Sequence, residues 1–497
     1  MLAEPRLAAK HAPVTRSTPA FALALFALAA IGPSACRPAP QGTVEVVVIG
    51  GKPKLRDPAL GPLTPPDAVL VHNVAQGLVQ FDAGGNIVAG LAERWNVSDD
   101  GLSYIFRLAA TDWPNGRKVT AQQVARILKR SIASSSNNPL KDTLGAVEDI
   151  VAMTDRVVEV RLHAPRPNLL SLLAQPELGI LRNGMGTGPF KLAPEPGPAG
   201  QLKLVREVLS PDEEVSRRED VFLESSEAQA AVRTFAASRT DLVLGGTFAD
   251  LPYAQRVKLP RNSLRFDPAM GLFGLVPVRA GGALDQPDVR RLLSQSVDRD
   301  SLIDALNVPG LTARATVLEP ALEGVPDPQP VAWAATPLAQ RRPALIAEAQ
   351  RLFGKADRPT LRLLLPQGPG GDLLLNRLAA DWGALGVKVE RAASSASADL
   401  ELIDTVAPST SPAWFLRRFR CEYVPVCDPE ADTLLDGARN ALVPAQRAAL
   451  LAQAAARIDS AQLFIPIMAP VRWSLVSTRT QGFAGNRYAR HTLTGLQ

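Results

Sequence analysis

The spacing of apolar and polar positions changes repeatedly along this chain, and each change marks an element. Val44–Ile49 (VEVVVI) is an unbroken β-branched run followed by glycine, which predicts a buried strand. From residue 50 to residue 66 the chain is rich in Gly and Pro and reads as loop. Residues 70 to about 165 read as a hairpin-rich unit. LSYIFRL (102–108) alternates between faces, and the two-residue turn signals Asp100-Gly101 and Asn115-Gly116 flank it. Thr120 and Gln123 make a capping box that opens a helix with Val124, Ile127 and Leu128 on its apolar face. Residues 148–151 and 156–162 predict one more hairpin across Thr154-Asp155.

Further along, the period lengthens. Residues 221–246 predict strand, helix and strand, and residues 288–299 (DVRRLLSQSVDR) predict a helix with Val289, Leu292, Leu293 and Ser296 on one packed face. A helix at 344–353, a strand at 361–365, a helix at 373–385 and a strand at 387–390 follow. Such alternation predicts a mostly parallel sheet covered by helices. The chain closes on LFIPIM (463–468) and a strand-like 472–476, whereas the Pro-rich stretch 310–345 carries no readable pattern. At 497 residues, two or three hydrophobic cores are expected.

Charge alters this picture mainly at the start. The formal net charge is +5, but Arg6, Lys10 and Arg16 against Glu4 supply part of it, and the remaining chain carries about +3. That is too little for a nucleic-acid footprint. Residues 1–36 read as an export signal: a basic start, the apolar run 21–31, then Ser34-Ala35-Cys36. The run is too short for a bilayer, which needs about 20 residues. Ser34-Ala35-Cys36 is similar to the end of a lipoprotein cleavage box, making Cys36 the lipidation candidate. Pro33 departs from that box, and ordinary cleavage near Ala35 is the alternative. The other two cysteines, Cys421 and Cys427, form an even pair that an oxidising compartment would close as a disulfide. No histidine lies near them, so a zinc site is not indicated.

The stretch 71–130 carries a resemblance to a known family. Its GLVQFD strand, GLAERWNVSDDGLSYIFRL hairpin, W-x-NG turn at 113–116 and VTAQQVARILKR helix are similar to the N-terminal signature of family 5 of the extracytoplasmic solute-binding proteins. That family serves peptide and nickel ABC importers. GTGPFKL (186–192) resembles the segment where the family's chain re-enters its first lobe, and the glycines there read as a structural turn. The helix 288–299 and the P-x-I-P-like 463–468 extend the resemblance over roughly residues 44–490. It implies an α/β, two-lobed periplasmic-binding-protein fold (type II-like) with an extra small α+β domain inserted in the first lobe. The expected parts are 42–70, 181–262 and 471–497 for lobe 1, 71–180 for the inserted domain and 263–470 for lobe 2. A ligand is then expected in the inter-lobe cleft, captured by hinge closure, with an ABC permease and ATPase complex as partner.

The chemistry-bearing residues fit capture better than catalysis. His11, His72, His163 and His491 are scattered, and no HExxH, GxSxG, P-loop or CxxC is present. His72 reads as a hydrogen-bonded structural residue. No enzyme activity, metal or cofactor is expected, and scarce His and Met argue against the nickel branch. A periplasmic sensor or enzyme reusing the fold is the alternative. Peptide-binding members of the family carry an A-D-Y-x-x-P-x-x-F-L-like segment whose Asp meets the peptide's α-amine. The matching segment here is 407–416, APSTSPAWFL, with Pro408 at the Asp position. Ala407, Pro408, Ser409 and Trp414 are candidate ligand contacts. Asp404 is the candidate replacement acid, and Arg472 is a candidate partner for an anionic group. A modified or blocked peptide, or a non-peptide solute, is therefore expected, taken up by a monomer held to a membrane through Cys36.

Overall fold

The computed structural model describes residues 43–208, 217–354 and 358–497. The export segment and Cys36 lie outside the described residues. Val44–Ile49, β-branched and buried, sits at the centre of a seven-stranded sheet. It pairs in parallel with Arg217–Ser226 on one side and Leu242–Thr247 on the other. Antiparallel strands extend both edges, with Arg472–Val476 and Leu264–Phe266 beyond Leu242–Thr247. The helix Ala228–Ala236 links the two parallel neighbours and buries Ala231, Val232 and Phe235.

Between the first and second strands of that sheet to appear in the sequence, the chain builds a separate four-stranded antiparallel sheet. Its order is Ala92–Val97, Ser103–Leu108, Val157–Leu162, Val147–Thr154. The helix Ala121–Ile132 covers it, burying Val124 and Leu128 against Phe106 and Val158. Its capping box is present as expected, and Gln123, the box's partner to the Thr120 cap, also accepts the indole N–H of buried Trp113 at 2.8 Å. The small domain is thus an insertion into the first lobe.

The second lobe holds a five-stranded sheet in the order Lys388–Arg391, Thr360–Leu364, Leu400–Val406, Gly271–Pro277, Ile465–Pro466. The two strands expected from the βα alternation and Leu400–Val406, which was not expected, are parallel, but Gly271–Pro277 runs antiparallel to both its neighbours. The mostly parallel expectation therefore holds for half of this sheet. A fully apolar strand such as GLFGLVP is buried on both faces in either direction, so its composition does not report its orientation. One apolar core runs continuously from the large sheet into this one. Phe248 and Phe273 meet edge to face with centroids 4.7 Å apart, and the helix Pro369–Gly383 seats the N–H of Gly370 on the Ala249 carbonyl at 2.9 Å.

Three local readings need correction. Pro65–Val74 is a helix, started by the Thr64 cap and proline in its first turn, where loop was expected to residue 66. The helix at Pro287–Ser296 stops there, and Asp298 caps a new one, Arg299–Leu306. Asn115-Gly116 does not join two long strands. It closes a tight loop in which the Trp113 N–H donates to the Arg117 carbonyl.

The GTGP turn is held by close backbone contact. Gly188 donates its N–H to the Val74 carbonyl at 2.8 Å, and a Cβ there would stand 2.5 Å from the Asn73 carbonyl oxygen. Phe190 follows with a bond to the same Asn73 carbonyl. Glycine is required at this position by the approach of another main chain.

Candidate functional site

A cavity of about 840 Å³ opens between the large sheet and the second-lobe sheet. Thr247 faces it from the first lobe, residues 364–366 and 401–405 from the second, and Asp142 from the small domain. The short helix Pro412–Arg417 adds Trp414 and Arg417, and the loop behind it adds Tyr423. Cys421 and Cys427 close that loop as a disulfide, with Cα atoms 5.1 Å apart. No helix among the described residues is long and apolar enough to cross a membrane.

Two candidate residues from opposite lobes meet here. Arg472 opens the strand Arg472–Val476 of the large sheet, while Asp404 lies on Leu400–Val406 of the other. The guanidinium donates from Nη1 to Asp404 Oδ1 at 2.8 Å and from Nη2 to the Asp404 carbonyl at 3.0 Å. Both side chains are largely buried. Burial pushes the Asp404 carboxyl up, opposed by the Arg472 charge. Each group thus satisfies the other. Nearby, Asp250 accepts from the Thr247 hydroxyl at 2.9 Å, and burial raises its carboxyl as well.

The segment 407–409 does not line this cavity. Ala407 is buried, with its N–H on the Met270 carbonyl, and the Pro408 carbonyl accepts from Gln175 Nε2 at 2.8 Å. Ser409 Oγ accepts from Asn168 Nδ2 at 3.5 Å. Ala407 is thus held within the second lobe, while Pro408 and Ser409 fasten that lobe to the chain leading out of the small domain. Trp414 does face the cavity, with its ring edge to face against Phe415.

Two carboxylates on the cavity wall escaped the sequence reading, Glu401 and Asp142. The Glu401 carboxylate has no hydrogen-bond or ion-pair partner among the described residues, while Asp142 accepts from the Tyr423 hydroxyl at 3.4 Å. Nothing local marks Glu401 as functional, since it is one of three polar positions, with Asp404 and Thr405, on the strand LELIDTV. The arginine-rich run FLRRFRC (415–421) was the available signal for the Trp414–Tyr423 wall. His72 is buried, with its ring hydrogen-bonded to the Phe81 main chain, while its Nε2 has no hydrogen-bond partner among the described residues. Desolvation, with Arg490 and His491 nearby, holds its pKa down to about 4, so the ring stays neutral.

The sequence model of the bacterial extracellular solute-binding proteins, family 5, matches residues 86–409. A probable di/tripeptide-binding protein 5 of Pseudomonas aeruginosa is 23% identical over 479 residues, covering 83% of this chain and 88% of its own. In structure, the chain is similar to Haemophilus influenzae OppA in complex with the peptide RPPGFSPFR, at a TM-score of 0.76 and 19% identity over 91% of this chain and 98% of that one. The Escherichia coli murein tripeptide binding protein MppA follows at 0.75 and 18%, over 90% and 97%. A matched signature over most of the folded chain and a shared two-lobed architecture lead to one conclusion: the chain belongs to family 5 of the bacterial extracellular solute-binding proteins.

Proposed function

We propose that this protein is the solute-capturing component of an ABC importer, closing its lobes on a small solute and delivering it to a membrane permease with its ATPase. The observation that carries this reading is the cavity of about 840 Å³ walled by both lobes and the small domain. The relatives named as di/tripeptide-, peptide- and murein tripeptide-binding proteins support a peptide-like solute class. The protein acts without covalent chemistry, as a monomer, exported and tethered through a lipid on Cys36.

The local acids favour a modified or blocked peptide, or a non-peptide solute, over a plain peptide. Proline at 408 offers no carboxylate, and Asp404 is already committed to Arg472. A free α-amine would have to meet Glu401 instead. Thermal melts with tri-alanine and N-acetyl-tri-alanine test this. A ligand at a hundred times its Kd adds about 2.7 kcal/mol, a visible rise in Tm. Acetylation is expected to leave any stabilisation intact. Tight binding of the free-amine peptide, abolished by acetylation and by Glu401→Gln, would overturn the reading in favour of a plain peptide receptor. Turnover of a bound solute beyond stoichiometry would replace capture with catalysis.

A further inference from the structure

Beside the cleft lies a second cavity of about 380 Å³, between the small domain and the second lobe. It shares Asp142, Trp414, Arg417 and Tyr423 with the wide one, so the two form a continuous recess. Its wall is strongly cationic: Lys141, Arg166, Arg417, Arg420, Arg439 and Arg447 stand against only Asp142 and Glu422. These arginines come from residues 166 to 447, brought together by the loop before Leu169–Leu173, by the helix Pro412–Arg417 with the turn after it, and by the helices Pro429–Asn440 and Pro444–Ser460.

Within the protein their charge is poorly answered. Arg420 alone has a bidentate carboxylate, Asp436, at 2.9 and 3.2 Å. Arg166 donates to the main-chain carbonyls of Pro165 and Arg439, and Lys141 to those of Ser134 and Ser136. Arg417 comes no closer than 3.8 Å to Asp142. The Arg439 and Arg447 guanidiniums make no hydrogen bond among the described residues, although Asp436 lies within electrostatic reach of the first and Glu323 of the second. Three buried polar atoms in this wall, Arg417 Nη1, Arg447 Nε and Thr143 Oγ1, have no hydrogen-bond partner there. Burial and the neighbouring Arg447 and Arg439 charges bring Arg166 down to about 10, and burial lowers Arg417 and Arg447 in the same direction.

An arginine cluster that merely glued two domains together would be paired with carboxylates, because unpaired buried cations are costly. This one presents unfilled donors to an open recess. We propose that the small cavity holds the anionic part of the solute, and that this solute carries two or more carboxylate or phosphate charges. The guanidinium fork matches both groups in bidentate geometry. The remainder of the solute extends past Trp414 into the wide cleft. The inference rests on the solute-capture reading and narrows its ligand class.

Isothermal titration of the purified protein with citrate, inorganic phosphate and tri-alanine tests it, with small-angle scattering alongside. Saturable binding of citrate or phosphate, weakened by added KCl, is expected, and the preferred one of the two distinguishes carboxylate from phosphate recognition. Arg447→Gln and Arg439→Gln should each weaken that binding by on the order of tenfold to a hundredfold. Their unliganded Tm should hold or rise, because one of a set of like charges is removed. A structural role would lower it. Absence of saturable binding by both anions overturns the proposal, as does binding that both variants leave undiminished. Failure of the capture reading shows separately: anion binding that depends on Arg447 but brings no lobe closure in scattering would keep the site and remove the transport role.

Discussion

Arg472 and Asp404 join two sheets that share no strand, through a 2.8 Å ion pair and a second bond to the Asp404 main chain. Their separation of 68 residues conceals a short path between the two sheets, with Asp404 also on the wall of the wide cavity. Removing one partner of a largely buried pair leaves the other charge unanswered, at a cost of roughly 3 kcal/mol. Asp404→Asn and Arg472→Gln should each destabilise by about that amount. The double variant should lose less than the two combined, and a double-mutant cycle in urea measures the coupling. Additive losses would mean that the pair does not couple the lobes.

Asp459 predicts a pH dependence. It sits near the end of the helix Pro444–Ser460 and accepts the Val317 N–H at 2.8 Å. Burial pushes its carboxyl up to about 7, outweighing that hydrogen bond. The folded state therefore holds this proton more tightly than the unfolded chain does. Its contribution is fully present below the ordinary aspartate range near pH 4 and is lost as pH rises toward 7, by a few kcal/mol at most (~1.4 kcal/mol for each pH decade). Asp459→Asn keeps an acceptor for Val317 and should be more stable than the parent at pH 8, with little difference at pH 4. Parallel Tm profiles for the two proteins would refute this.

The Cys421–Cys427 disulfide closes a short loop that places Glu422 and Tyr423 on the cavity walls. The chain-entropy model assigns such a loop about 2 kcal/mol. Replacing both cysteines with serine should lower Tm modestly and weaken binding of any solute in the recess. Unchanged binding, measured by titration, would place the loop outside recognition.

Gly188→Ala should cost at least 1–3 kcal/mol, the usual range for overpacking, because the new methyl would meet the Asn73 carbonyl, which is backbone and cannot swing aside. Chemical denaturation of this variant should show a lower midpoint with an unchanged slope. A neutral result would mean that the Pro65–Val74 helix shifts freely against the GTGP turn.

Elements governed by short-range physics were legible in the sequence. The capping box at Thr120 and Gln123, the alternating Ser103–Leu108 strand and the β-branched Val44–Ile49 strand each encode their own conformation through hydrogen-bond geometry or side-chain period. The family signature, made of such elements in order, carried the two-lobed fold with them. The direction of Gly271–Pro277 was not encoded locally, because a strand buried on both faces looks the same either way. The site was least legible of all. Asp404 and Arg472 were visible as candidates, but only the packing of the two lobes decided that they spend their charge on each other. The cationic recess draws on arginines from 166 to 447. Each alone is an ordinary surface residue in the sequence, and their shared, poorly answered charge exists only once tertiary structure sets them around one cavity.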